Sequence, residues 1–162
     1  MRLMLMRHGI AEDAGPGTGF RDEPRALTGD GRLRMEQAAR GLRALGVEAS
    51  LVLCSPLVRC RQTAEIVAAA LGLEPVEDPR LRPGMELDDL AEALMRHPAA
   101  DPVLVCGHNP DLPHAVADLT GGASVDFRKG TLAVLDVEAV APRGGRLRAL
   151  YPPSALRAIG GG

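Results

Sequence analysis

Three short stretches of the 162-residue chain carry side chains that can do chemistry together: Arg7-His8-Gly9, Ser55-Pro56-x-x-Arg59 and Gly107-His108-Asn109-Pro110. Two arginines facing one point attract a dianionic tetrahedral group, because guanidinium forks match phosphate oxygens in pairs and stay charged at any working pH. A histidine beside them can act as a nucleophile. Its ordinary pKa of about 6.5 leaves the imidazole mostly neutral at pH 7, and neighbouring arginine charge favours that form further. The combination predicts phosphoryl transfer, with His8 attacking phosphorus while Arg7, Arg59 and His108 hold the charge on the phosphoryl oxygens. The arginines then supply the stabilisation that a metal ion gives elsewhere, so the scheme calls for no metal and no other cofactor. The competing chemistry makes His8 and His108 metal ligands with Asp111 or Glu12. Those acids are not clearly grouped with the histidines, and two arginines would repel a cation. No Gly-x-x-x-x-Gly-Lys loop is present to cradle a nucleotide.

The three stretches can meet only if the chain delivers them to one edge. Each follows a short apolar run, at residues 3–6 (LMLM), 51–53 (LVL) and 103–106 (VLVC), the pattern of strands buried on both faces of a parallel sheet. Between the runs, the spacing predicts helices. One spans 31–45, with Leu33, Gln37, Leu42 and Leu45 inward, Thr28 as cap and Gly46 as its end. A second spans 56–71, with Ser55 capping, Pro56 at the first helical position, and Thr63, Ile66, Val67, Ala70 and Leu71 along one side. A third covers 87–96, closed by His97-Pro98, and a fourth follows Pro110. Runs at 131–137 and 146–151 flank a Pro/Gly-rich turn at 142–145 and read as a hairpin. This order predicts an α/β fold, a three-layer sandwich with a mostly parallel central sheet and a late antiparallel strand, as a single domain over 1–162. In open α/β sheets ligands sit beyond the carboxyl ends of the strands, where two histidines and two arginines would converge.

Composition narrows the partners. The chain is 46% hydrophobic and 25% charged with a net charge of −2, ordinary for a globular protein. One Tyr, two Phe and no Trp leave no stacking platform for single-stranded nucleic acid, and the dispersed arginines are balanced by 21 acids, so no nucleic-acid partner is expected. No apolar run could span a bilayer and no signal peptide is visible, so a soluble, cytoplasmic protein without a membrane partner is expected. Cys54, Cys60 and Cys106 form no C-x-x-C pair and read as reduced, buried thiols. His97 at a helix end, His114 on a helix surface and Arg61 are expected to stand apart from the site. Ser55 and Asn109 can cap helices, touch substrate, or do both. Apart from a glycine run at 160–162, no low-complexity tract is present.

Taken in order, Arg7-His8-Gly9, Leu27-Thr28-x-x-Gly31, the SPLVRCRQTA run from Ser55 to Ala64, and Gly107-His108-Asn109-Pro110 resemble the histidine phosphatase superfamily, the phosphoglycerate mutase-like fold, over nearly the whole chain. Ala11, where mutase-type members usually carry Ser or Thr, and the short length are similar to the SixA branch of phosphohistidine phosphatases. The resemblance implies that His8 is the phosphorylated nucleophile and that Arg7, Arg59 and His108 complete the phosphate pocket; Gly9 and Asn109 are further candidates for binding substrate. Ester phosphatases and mutases of the family place a carboxylate after the middle strand to protonate the leaving oxygen. Residues 80–86 lack a clear match. Glu86 and Asp88 remain the candidate acids, although acids favour a helix start for structural reasons too. A missing acid suits a phosphoramidate, whose nitrogen leaving group can be protonated before the P–N bond breaks. The expected function is metal-independent dephosphorylation of phosphohistidine on a protein. The alternatives are a small-molecule phosphomonoesterase using Glu86 or Asp88, and a non-catalytic phosphate-binding module.

Overall fold

The computed structural model describes residues 1–161; Gly162, the end of the glycine run, lies outside the described residues. Alternation within the strands sorts the apolar side chains onto two faces. In β1 (Arg2–Arg7), Leu3 and Leu5 point into one core, and Met4 and Met6 into the other. The remaining strands are β2 (Leu51–Cys54), β3 (Pro75–Glu77), β4 (Val103–Gly107), β5 (Leu132–Val137) and β6 (Gly145–Tyr151), and the sheet order is β3-β2-β4-β1-β5-β6. β1 pairs with β4, and β2 with β4 and β3, in parallel, whereas β5 pairs antiparallel with both β1 and β6. β5 therefore runs against the other five, which is the late antiparallel strand the sequence predicts.

Helices α1 (Gly29–Ala44), α2 (Val58–Leu71) and α5 (Pro153–Ile159) cover the Met4 and Met6 face, while α3 (Leu87–Met95) and α4 (Asp111–Thr120) cover the Leu3 and Leu5 face. With both faces covered, β4 is buried throughout. No helix among the described residues is long and apolar enough to cross a membrane.

Three expectations need correcting. The inner face of α1 consists of Met35, Ala38, Ala39 and Leu42 with Gly31 and Gly41, whereas Leu33 and Leu45 are exposed. The cause is α5, a helix the sequence reading did not anticipate. A Cβ on Gly41 would collide with the Leu156 carbonyl, so the two helices meet backbone to backbone over small residues that a hydrophobic pattern undervalues. The start of α2 lies later than predicted, at Val58 with Leu57 as N-cap. The Ser55 hydroxyl accepts from the Leu57 N–H at 3.3 Å within the turn that precedes the helix. The buried side of α2 is also rotated, toward Cys60, Thr63, Ala64, Val67 and Ala68, with Ile66, Ala70 and Leu71 only half-buried. β3 was likewise unanticipated, because a three-residue edge strand beginning with Pro carries almost no pattern. The Thr28 cap holds as predicted, its hydroxyl accepting from the Gly31 N–H at 2.8 Å.

Candidate active site

Sheet register brings the predicted residues together. Arg7 lies opposite Gly107 and Cys54 opposite Cys106, so His8, Ser55 and His108 leave the sheet side by side. The ladder continues briefly past the strand ends, with the His8 N–H donating to Gly107 O at 3.1 Å and the Ser55 N–H to Cys106 O at 3.2 Å. Thr63 on α2 accepts from the Gly9 N–H at 3.0 Å and donates to Arg59 O at 2.7 Å, tying the turn after β1 to the helix that carries Arg59. A Cβ on Gly9 would strike the Met35 side chain of α1, so the turn can sit this low only with glycine there.

His8 and His108 are buried with ring centroids 5.5 Å apart, and Arg59 bridges them. Its Nε–H donates to His8 Nε2 at 3.2 Å, and its Nη2 donates to His108 Nδ1 at 3.3 Å. A guanidinium can only donate, so both of those ring nitrogens carry lone pairs. His8 Nδ1, 2.7 Å from the Gly9 carbonyl, must then bear the proton. His108 bears its own on Nε2 and donates to Ser55 Oγ at 2.8 Å. These partners leave the lone pair of the neutral His8 ring on Nε2.

Electrostatics keep both rings neutral. Burial depresses His8 to a pKa of about 3; its hydrogen bond to Gly9 opposes this, and the Arg59 charge adds to it. Burial, followed by Arg59, brings His108 down to about 4. Arg7 Nη1 donates to Phe127 O at 2.6 Å, while its buried Nε has no partner among the described residues. Such a buried donor costs about 1–3 kcal/mol until an acceptor reaches it.

The sequence pattern of the histidine phosphatase superfamily (branch 1) matches residues 3–88. The chain belongs to that superfamily. Over 115 residues it is 41% identical to an uncharacterized protein of Picosynechococcus sp., covering 69% of this chain and 68% of that one. The structure of the protein histidine phosphatase SixA complexed with tungstate is similar at a TM-score of 0.82 and 28% identity, over 96% of this chain and 99% of that chain. A phosphohistidine phosphatase SixA from Agrobacterium tumefaciens, titled as putative, follows at 0.79 and 26%, over 94% and 97%. Likeness at 21% identity to a structure titled a putative alpha-ribazole-5'-P phosphatase from Escherichia coli, with a TM-score of 0.71 over 94% of this chain and 97% of that one, is one of fold alone.

Around the pocket, the structure adds a residue that the sequence reading passed over. Asp22, in the loop before α1, takes a hydrogen bond from Arg59 Nη2 at 2.9 Å, and its main-chain carbonyl accepts from Arg59 Nη1 at 3.1 Å. Burial raises its carboxyl, but hydrogen bonds from Arg25 and Arg59 outweigh that and hold it below its ordinary value. The signal that could have found it is the Asp22-x-x-Arg25 pair just ahead of Leu27-Thr28.

Glu86 and Asp88 stand exposed at the start of α3, where they line a separate surface cavity with His114 and Asp118. Neither shares a hydrogen bond with His8, Arg59 or His108. Asn109 is exposed beside His108, and α4 has no side-chain cap from it. Asp111 accepts from the Gly84 N–H at 3.0 Å, which anchors the loop before α3. His114 is exposed and His97 half-buried, while Arg61 turns outward to Glu65 and Glu77. All three cysteines are free and buried, and burial raises the Cys54 thiol to about 12. Among the described residues, no three His, Cys, Asp or Glu side chains are grouped so that they could hold a metal ion.

Proposed function

We propose that this protein is a phosphohistidine phosphatase that removes phosphate from histidine on a protein through a phosphohistidine at His8. One observation carries the reading: His8 offers an Nε2 lone pair beside Arg59 and His108, and the carboxylate touching this group is Asp22, which Arg25 and Arg59 hold ionised. An ionised carboxylate is a poor proton donor for an alkoxide leaving group. A phosphorylated imidazole needs no such donor, because a proton on its unphosphorylated ring nitrogen lets it depart as a neutral ring.

In the first step the Arg59 Nε–H turns from His8 Nε2 to a phosphoryl oxygen, releasing the lone pair. His8 Nε2 forms a bond to phosphorus as the P–N bond of the substrate breaks, and the electron pair leaves with the substrate imidazole. Arg7 Nε, without a partner among the described residues, and both arginine forks hold the equatorial oxygens. A bound dianion also favours protonation of His108, whose Nδ1 would then donate to it. In the second step water attacks phosphorus, the His8–P bond breaks, the water proton passes to the released phosphate, and His8 regains its neutral form.

The tungstate held by the related SixA is a tetrahedral oxyanion of the kind this pocket suits. The test is phosphate release from a chemically phosphorylated histidine protein and from p-nitrophenyl phosphate, in parallel and with chelator present. The proposal expects strong preference for phosphohistidine. Equal or faster ester hydrolysis would contradict it and favour the phosphomonoesterase, and stable binding with no release from either substrate would favour the phosphate-binding module.

A further inference from the structure

Beside the imidazole pair lies a cavity of about 410 Å³ that the phosphoryl chemistry does not use. Arg7 and Gly9 border it, so it adjoins the pocket where His8 reacts. Its floor is apolar, built from Ile10, Met35, Ala38 and Pro153. Its rim is basic and drawn from three parts of the chain: Arg34 on α1, Arg128 and Lys129 ahead of β5, and Arg157 on α5. Arg34 and Arg128 are paired with Asp30 and Asp126. Lys129 and Arg157 are half-buried, enter no ion pair among the described residues, and share the cavity lining with no acidic side chain. Half-buried cations over an apolar floor have lost part of their hydration and gained no counter-charge, which favours an anionic partner that also brings apolar surface.

We propose that this cavity is a second recognition site, which takes an acidic and apolar segment flanking the phosphohistidine of the partner protein. A carboxylate of the segment meets Lys129 and Arg157, and an apolar side chain beside it covers Met35 and Ala38. A protein segment fits better than a small metabolite because the lining combines an apolar floor with cations drawn from three parts of the chain, which suits a ligand carrying both apolar and acidic side chains. The inference deepens the phosphohistidine reading and rests on it for the identity of the reacting group.

The test compares two synthetic phosphohistidine peptides, one flanked by Glu and Leu and one by Lys and Ser, with free phosphoramidate as a substrate too small to reach the cavity. Wild type should show a KM about tenfold lower for the Glu-Leu peptide, and the Lys129→Glu/Arg157→Glu variant should erase that difference with kcat maintained. Phosphoramidate turnover should change by less than about twofold, which also shows that the variant folds. No peptide preference in wild type, or an equal loss on phosphoramidate, overturns the proposal. A second measurement needs no turnover: fluorescence anisotropy of a labelled, unphosphorylated Glu-Leu peptide, whose binding the double variant should weaken. If wild type hydrolyses neither phosphohistidine peptide, the phosphohistidine reading falls and the anisotropy alone decides the cavity. If the double variant loses binding of a small bisphosphate ester and keeps the peptide, the occupant is a small anion and the proposal is overturned.

Discussion

Arginines gather at both ends of β1, and their partners set the two ends apart. At the amino end, Arg2 and Arg148 both pair with Asp136, and the Arg2 N–H donates to Asp101. Hydrogen bonds from Arg148, then Arg2, hold the Asp136 carboxyl below its ordinary value. These charges border a cavity of about 840 Å³, twice the size of the one beside Arg7. At the carboxyl end, Arg7 and Arg59 meet imidazole nitrogens and main-chain carbonyls, with Asp22 as the acid within reach of Arg59. Exposed arginine already satisfied by carboxylate has little left for a ligand. Arginine facing neutral acceptors keeps its charge available for an oxyanion. Cavity size alone would have pointed to the amino end.

Breaking the carboxyl end should have the largest effect. Arg59→Ala removes the bridge between the imidazoles and a fork for the phosphoryl oxygens, and should lower kcat/KM by about 10²- to 10³-fold, measured by phosphate release. Arg59→Lys should recover little of this, because a point charge cannot reach both rings.

Acid should come next. His8 and His108 have folded pKa values of about 3 and 4 against 6.5 for the free side chain, so below pH 6.5 the unfolded chain binds more protons than the folded one. Stability is fully present above pH 6.5 and falls as pH drops toward those folded values. Denaturant titrations should show a loss of at most about 6 kcal/mol from pH 7 to pH 4 beyond that of His8→Gln/His108→Gln. A double variant with the same acid slope as wild type would remove these rings as the cause.

Smaller effects sharpen the contrast. Asp22→Asn removes the carboxylate that competes for Arg59, and should lower the inhibition constant of tungstate by about threefold. A higher constant would instead make Asp22 a positioning residue for Arg59. At the other end, Arg148→Ala should leave phosphate release within about twofold of wild type.

The same division governs how much the sequence revealed. The convergence of Arg7, His8, Arg59 and His108 was readable because each ends or follows a strand or opens a helix, and a parallel sheet sends those ends to one edge. Asp22 escaped because it lies in an irregular loop, 37 residues from the arginine it meets, and no periodicity marks such a contact. The inner face of α1 was misjudged for a related reason. It is set by α5, whose approach at Gly41 leaves a signature of small residues rather than large apolar ones. Elements with two buried faces or clear caps were legible, and contacts made by loops and by glycine were not.

Covalent trapping at His8 tests the central claim most directly. The enzyme would be mixed with a phosphorylated substrate, quenched within a turnover into alkali, where phosphohistidine survives, and mapped by mass spectrometry. Phosphate is predicted on His8, absent from His8→Ala, with turnover by that variant lower by at least about 10³-fold. Phosphate on another residue, or turnover retained by His8→Ala, would contradict the account.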